Sequence, residues 1–369
     1  MSALLLEAND LEVTKSQPVL VLFFGLLAKK RPETTALLIG TLEHVIAESN
    51  EKYWLCEACL SMMSQIYIHV TREEIKERNN CFEDVRRSQS NDSPDKIIRN
   101  GDNDFDVINV KSRSFGILVG HLHNKNALIR TFVLKLFTAI LREVPLPHVG
   151  DFQDRIIQRF HDKSPLVRKC AVNTFISIIV NNQLVDQLKH ISTLREQVAS
   201  NCNPTTQKTI ELLLADSETL LGHITSGSDI ILTNYLNSSI ASDVMFSINW
   251  FYQLTVIGIE HATLGGFQKM ITHVWNLDKC IREFAICCFK DVFVSATSSD
   301  EHKTVALIHF VEKSNNAEAA SIAKMVQTIK LSEGAREFIW DIAFCKEFGQ
   351  IASSYQAAAL ALVAIVCYG

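Results

Sequence analysis

The segment FHDKSPLVRKCAV, residues 160–172, places an acid, several basic residues, a Ser-Pro step and a cysteine within thirteen positions. This density is typical of three different features: a reactive site, a phosphorylation site or the corner of a structural repeat. The three interpretations predict different functions, and the remaining residues of reactive type in the chain help to separate them.

Cys56 and Cys59 form a CxxC motif, the spacing of thiol redox sites and of half a zinc finger. No second Cys or His pair stands at finger spacing, and the motif falls within an apolar helical pattern. We therefore expect Cys59 to be a buried thiol, and we expect Cys170, Cys280 and Cys288 to lie on apolar helix faces as well. A cysteine-dependent enzyme that uses Cys56 or Cys59 with a nearby His stays open as an alternative.

The sequence carries no fingerprint of a phosphate-binding loop, a dinucleotide-binding turn or a hydrolase nucleophile elbow. The twelve His are scattered and form no metal-binding motif. We predict no catalytic residue, no metal and no cofactor, so a scaffold is favoured over an enzyme.

Two Ser-Pro steps require different explanations. Ser164 and Pro165 stand at the start of an apolar helical pattern, where Ser or Asp caps free amides and Pro is favoured at the first position. Ser93 and Pro94 lie in the polar stretch NDSPDK, with a Lys three residues after the Ser. That pattern is preferred by proline-directed kinases, so Ser93 is the phosphorylation candidate.

Positive charge is concentrated in one part of the chain. Residues 124–169 contain nine Lys/Arg and four Asp/Glu, whereas the whole chain has a formal charge of -5. A basic stripe on a helical scaffold could follow a phosphate backbone. The DNA-binding candidates are Lys135, Arg142, Arg155, Arg159, Lys163 and Lys169. The alternative is that these are solvated helix faces, and that the repeat arginines bond to carbonyls or to Asp162 at the turns.

The composition indicates which elements position these residues. The chain has 369 residues, of which 47% are hydrophobic and 21% charged, with only 14 Gly and 7 Pro. Scarce turn residues favour a mostly helical protein. The apolar runs 19–28 and 357–368 are shorter than the roughly 20 residues that span a bilayer. The N-terminus lacks the pattern of a secretory signal, so we expect an intracellular protein with reduced thiols.

An internal repeat organises the chain. Three copies align: NKNALIRTFVLKLFTAIL (124–141), DKSPLVRKCAVNTFISII (162–179) and NLDKCIREFAICCFKDVF (276–293). Arg130, Arg168 and Arg282 fall in register, and apolar or small residues recur at -2, -1, +2, +3, +6, +7, +10 and +11 from each Arg. These positions are predicted to form one broad face of a helix, directed toward the core. The first two arginines are 38 residues apart and the last two 114, three times as many. This period predicts an all-α solenoid of the HEAT or armadillo kind.

A weaker copy, residues 50–67, has Cys56 in place of the Arg. Residues 77–106 are polar and charged, which predicts a linker or an exposed loop. The predicted organisation is therefore N-terminal repeats over 1–76, a linker over 77–106 and a solenoid over 107–369. Further amphipathic helices are expected at 107–121, 148–160, 205–223, 238–259, 262–274 and 317–329.

The order of these segments resembles the condensin complex subunit 1 family, the HEAT-repeat subunits of condensin I. The resemblance is carried by VPLP at 144–147, by DKSPLVRK at 162–169, and by an aromatic-rich helix, a glycine-linked helix and a repeat copy over 242–293. FIWDIAF at 338–344 and the small-residue helix at 357–366 fit the same order. Family members are far longer, so we expect the chain to be a fragment or a truncated form.

The resemblance implies a non-enzymatic scaffold in mitotic chromosome condensation. Its implied partners are an SMC ATPase heterodimer, the kleisin subunit, a second HEAT subunit and DNA. It also implies a location in the nucleus and on chromosomes, with a cytoplasmic pool in interphase, and no membrane contact. The alternative is another HEAT or armadillo scaffold, such as a nuclear transport receptor or a phosphatase scaffold.

Overall fold

All regular secondary structure in the described part of the chain is helical, which confirms the predicted all-α fold. The structure is a computed structural model that describes residues 17–48, 53–88, 101–144, 150–181, 188–191, 196, 204–259, 263, 265–295, 299–344 and 353–368. Helices pack mainly against their neighbours in sequence, as expected for a helical-repeat solenoid.

The chain divides into two compact units, residues 1–182 and 183–369. In the described part of the first unit, the α-helices are α1 (Gln17–Lys30), α2 (Pro32–Ala36), α3 (Ile39–Glu48), α4 (Tyr53–Ser88), α5 (Gly101–Gly120), α6 (Ala127–Glu143), α7 (Gly150–Gln158) and α8 (Pro165–Val180). Helix α4 packs against α1, α5 and α6, and α6 packs against α8. The repeat helices α6 and α8 are therefore direct neighbours.

The second unit contains α9 (Pro204–Asn234), α10 (Ala241–Ile257), α11 (Gly266–Met270), α12 (Lys279–Lys290), α13 (Asp300–Glu312), α14 (Asn316–Ile329), α15 (Glu333–Phe344) and α16 (Ser353–Tyr368). Helix α12 contacts α10 and α14, and α16 packs on α13, α14 and α15. At 31 residues, α9 is much longer than the helix predicted at 205–223.

The predicted linker is helical at both of its ends. Helix α4 continues through Ser88, and α5 begins at Gly101. Residues 89–100 lie outside the described residues, and Ser93 is among them. Polar composition therefore underestimated the helix content at the borders of this stretch.

The repeat helices bury a narrower face than the sequence predicted. Position +7 is a Phe in all three copies, and Phe137, Phe175 and Phe289 are fully buried. Position -2 was predicted to face the core, which is wrong: Leu128 and Leu166 are exposed, and so is Cys280. At 3.6 residues per turn, about 100° per residue, position -2 lies roughly 140° from +3 and roughly 180° from +7 around the helix axis. Cys170, at +2, is half-buried for the same reason.

Gly265 is the N-cap residue of α11, and Gly266 is its first residue. Gly265 has a φ of 71°, a left-handed conformation that favours glycine. A Cβ at Gly266 would come within 2.1 Å of the Phe251 ring. The second glycine therefore allows α11 to approach α10 closely.

Candidate nucleic-acid interface

The same turn precedes each of the three repeat helices. The backbone N–H groups of Asn124, Asp162 and Asn276 donate to carbonyls three residues earlier, which closes a 3₁₀ turn. The side-chain oxygen of each of these residues accepts the N–H two residues further on, at 2.8 to 3.0 Å. This local bonding ends one helix and starts the next at a fixed angle.

The repeat arginines bind this turn. The Nη1 group of Arg130 donates to the Asn124 carbonyl at 2.7 Å. Arg168 and Arg282 repeat that bond, each to the carbonyl six residues earlier and each at 2.8 Å. These carbonyls would otherwise be left without a helical partner. The structural interpretation of the three arginines, that they bond to carbonyls at the turns, is therefore confirmed.

Asp162 links one turn to the next. Its two carboxylate oxygens accept Nε–H and Nη2–H of Arg130 at 2.8 and 2.7 Å, and its side chain is only 3% exposed. Burial alone would raise the pKa of Asp162, but the hydrogen bonds from Arg130 and from the Ser164 N–H hold it below the ordinary range. The segment 160–172 is thus the corner of a repeat. Ser164 occupies the N-cap position without a side-chain capping bond, and Pro165 is the first helical residue.

Three of the six DNA-binding candidates meet in one groove. Lys135 and Arg142 on α6 and Lys169 on α8 line a groove of about 690 Å³, which we call the α6–α8 groove. All three are exposed. Lys135 and Arg142 are seven residues apart, two turns, so both point to the same side of α6, about 10 Å apart along its axis. In the described part of the chain, neither Arg142 nor Lys169 has an ion-pair partner.

Threonines fix the spacing of the two helices beneath these cations. The hydroxyl groups of Thr138 and Thr174 lie 3.0 Å apart, and the Thr174 hydroxyl also donates to the Leu134 carbonyl at 3.0 Å. Asn173 and Ser177 add an amide and a hydroxyl to the lining. The Ser177 hydroxyl donates to the Asn173 carbonyl at 3.0 Å, so its proton is already used. The groups of the α6–α8 groove that can donate to phosphate oxygens are therefore the cations and the Asn173 side-chain amide.

The other three candidates lie outside this lining. Arg159 forms an ion pair with Asp162 at 3.6 Å, so part of its charge is already compensated. Arg155 is half-buried. The pKa of His123 is lowered, mainly because His123 is partly buried and also because the positive charges of Arg159 and Arg155 lie nearby. Lys163 is exposed at the turn. The predicted basic stripe is therefore divided: three cations line the α6–α8 groove, and three lie outside it, on α7 and at the turn before α8.

The CxxC motif lies on α4, and both of its cysteines are buried in the core of the first unit. Cys56 and Cys59 are 3% and 0% exposed. Burial raises the pKa of Cys56 to about 11 and that of Cys59 to about 12, so both are protonated at neutral pH. A thiol needs to ionise to act as a nucleophile or metal ligand. The geometry gives no support to the cysteine-enzyme alternative.

Among the described residues, no group of three or more His, Cys, Asp or Glu is placed to hold a metal ion. The helices that the structure describes also include none with the length and apolarity needed to cross a membrane. Ser93 lies outside the described residues, and its phosphorylation stays a prediction.

Sequence reasoning missed the polar part of the α6–α8 groove. Lys135, Thr138 and Arg142 follow the spacing of one helix face, and Lys169, Asn173 and Ser177 follow each other at intervals of four. This spacing could have predicted a polar face on each of the two helices. That the two faces border one groove depends on the packing of α6 against α8, which the sequence does not specify.

Comparison with known proteins leaves the family open. No protein-family model matches the chain, and no curated protein matches it either. Among solved structures, the chain was aligned with a crystal structure of an engineered protein. The alignment covers 96% of this chain and 90% of the engineered protein, with 10% sequence identity and a TM-score of 0.26. A likeness at that score carries no argument about fold or function.

Proposed function

We propose that this chain is a non-catalytic helical-repeat scaffold that binds DNA along the α6–α8 groove and acts as a subunit of a condensin-type complex. The observation that carries the proposal is the meeting of Lys135, Arg142 and Lys169 in one groove, beside the side-chain amide of Asn173. Three cations that each neutralise a phosphate give a binding free energy that falls steeply with salt.

The buried CxxC thiols support a role without chemistry. They remain protonated at neutral pH, and Met62, Met63 and Ile66 on the same helix are fully buried as well. The binding surface of a scaffold, by contrast, requires only a rigid frame. The turn network of Arg130, Asp162 and Arg168 supplies that frame on the α6–α8 side.

The condensin assignment rests on the resemblance of the ordered repeat segments. It predicts an SMC ATPase heterodimer, the kleisin subunit and a second HEAT subunit as partners, with DNA as the ligand. It also predicts a location in the nucleus and on chromosomes, with a cytoplasmic pool in interphase. Mass spectrometry can identify each of these partner proteins, so assembly of the complex can be tested separately from DNA binding.

Affinity purification of the tagged chain from mitotic cells, followed by mass spectrometry, tests the assignment. Recovery of two SMC proteins and a kleisin in stoichiometric amounts is the expected result. Recovery of a phosphatase catalytic subunit or of nuclear transport cargo, without SMC proteins, would instead support the alternative HEAT or armadillo scaffold. DNA binding by the α6–α8 groove is measured with purified protein, so it can succeed or fail independently.

A further inference from the structure

A second groove, with the opposite charge, lies between α15 and α16. It has a volume of about 470 Å³, and its base is formed by Ile339 and Val363, both nearly fully buried. We call it the acidic groove. It belongs to the second unit, and the DNA-binding proposal makes no use of it.

One wall of the acidic groove carries a row of carboxylates. Glu333, Glu337 and Asp341 are spaced four residues apart on α15, so they share one helix face. All three are exposed, and Arg336 is the one cation among the lining residues that the structure describes. In the described residues none of these carboxylates has an ion-pair partner. The wall therefore presents net negative charge to any occupant, which excludes a phosphate backbone.

An exposed aromatic pair stands beside the carboxylates. Trp340 lines the groove and is 50% exposed, and its ring packs against Phe344, itself 51% exposed, with 4.5 Å between the ring centroids. Tryptophan is enriched among the residues that dominate binding energy at protein interfaces. Its ring face also attracts cations, most strongly when water is excluded.

We propose that the acidic groove binds a short basic peptide segment of a partner protein. A Lys or Arg of the peptide lies over the Trp340 ring, flanking cations pair with Glu333, Glu337 and Asp341, and an apolar side chain contacts Val363. Charge complementarity selects this occupant, because neither an acidic peptide nor a nucleic acid can approach three carboxylates favourably. The site does not depend on the proposed DNA binding, since it lies on different helices and carries the opposite charge.

The probe is a fluorescein-labelled, end-capped nonapeptide with four lysines and two leucines, and its binding to the full chain is followed by fluorescence anisotropy. We expect saturable binding that weakens about tenfold or more in W340A and in E337K. W275A and E301K are matched controls, because Trp275 and Glu301 are exposed in the same unit outside the groove lining. Both control variants should bind like the unmodified chain.

Three results would overturn the proposal. Equal binding of the peptide in which glutamates replace the lysines would exclude recognition by charge. Equal loss in E337K and E301K would indicate a nonspecific effect of net charge. The third result is self-association of the unmodified chain in sedimentation velocity, loss of that association in W340A, and no binding of the lysine peptide. Together these observations would identify a second copy of the chain as the occupant. Circular dichroism melting of each variant verifies that loss of binding does not reflect unfolding.

Discussion

Arg130 and Asp162 form a two-pronged ion pair across 32 residues of sequence, with Nε and Nη2 donating to Oδ2 and Oδ1 at 2.8 and 2.7 Å. Asp162 is the first residue of the next repeat turn, and its own carbonyl accepts a hydrogen bond from Arg168. Successive repeats are therefore joined through one carboxylate. This linkage fixes the angle between α6 and α8 and hence the width of the α6–α8 groove.

Replacement of Arg130 by Gln should destabilise the first unit by about 3 kcal/mol, because the buried Asp162 carboxylate then loses its two-pronged partner and keeps only Arg159, at 3.6 Å. Urea denaturation followed by circular dichroism measures the loss as a lower transition midpoint. R142Q is the matched control: Arg142 is exposed on the same helix, so its removal should change the free energy of unfolding by less than about 0.5 kcal/mol. Equal effects of R130Q and R142Q would contradict the structural role of Arg130.

The pH dependence of stability should report Asp162. Its pKa is lower in the folded chain than its ordinary value of about 3.9, so the ionised form stabilises the fold. That contribution is fully present above about pH 4 and is lost as the pH falls through the folded pKa. D162N cannot titrate, so its stability deficit should be constant above pH 4 and should shrink below it. A deficit that grows on acidification has the wrong sign for this explanation.

Gly266→Ala should destabilise the second unit by about 1 to 3 kcal/mol, since the added methyl group would overlap the Phe251 ring. Gly222 lies in α9 and provides the control, because a methyl group added there would meet no neighbouring atom within 4 Å. G222A should stabilise the chain by up to about 1 kcal/mol through higher helix propensity. Thermal melting compares the two variants, and a neutral G266A would show that α10 and α11 are not closely packed.

Thiol labelling should follow burial. Cys280 and Cys287 are exposed, whereas Cys56 and Cys59 are buried with raised pKa values. Brief treatment with iodoacetamide at pH 7.5, analysed by mass spectrometry, should modify the first pair and leave the second pair intact until urea is added. Fast modification of Cys59 in the native chain would restore the cysteine-dependent enzyme as an explanation.

The register of the repeats could be predicted from the sequence because it depends on local spacing. Arg130, Arg168 and Arg282 align, and the Phe seven residues after each is buried. The exposure of Leu128 was not predicted, because an apolar residue near a helix start does not reveal which side of that helix meets a neighbour. The sequence pattern described a broad apolar face, and packing uses only part of it.

The candidate site was predictable only in part. The local excess of Lys and Arg indicated the region, but it grouped Arg159 with Lys135 although Arg159 pairs with Asp162. Which cations share a groove depends on tertiary packing of α6 on α8. The spacing of Glu333, Glu337 and Asp341 could be read from the sequence. The acidic groove could not, because it depends on the packing of α15 on α16 and on the exposure of Trp340.

The most direct test of the proposed DNA binding is the salt dependence of affinity for a fluorescent 30-base-pair duplex, measured with purified chain from 50 to 200 mM NaCl. The unmodified chain should show a slope of log affinity against log salt near -3, about -0.9 for each of three neutralised phosphates. K135E/K169E should weaken binding at least about tenfold and reduce the magnitude of the slope by about two. K290E/K313E, with the same change in net charge at exposed sites elsewhere, should retain both values. Equal affinity and slope in the two double variants would contradict DNA binding by the α6–α8 groove.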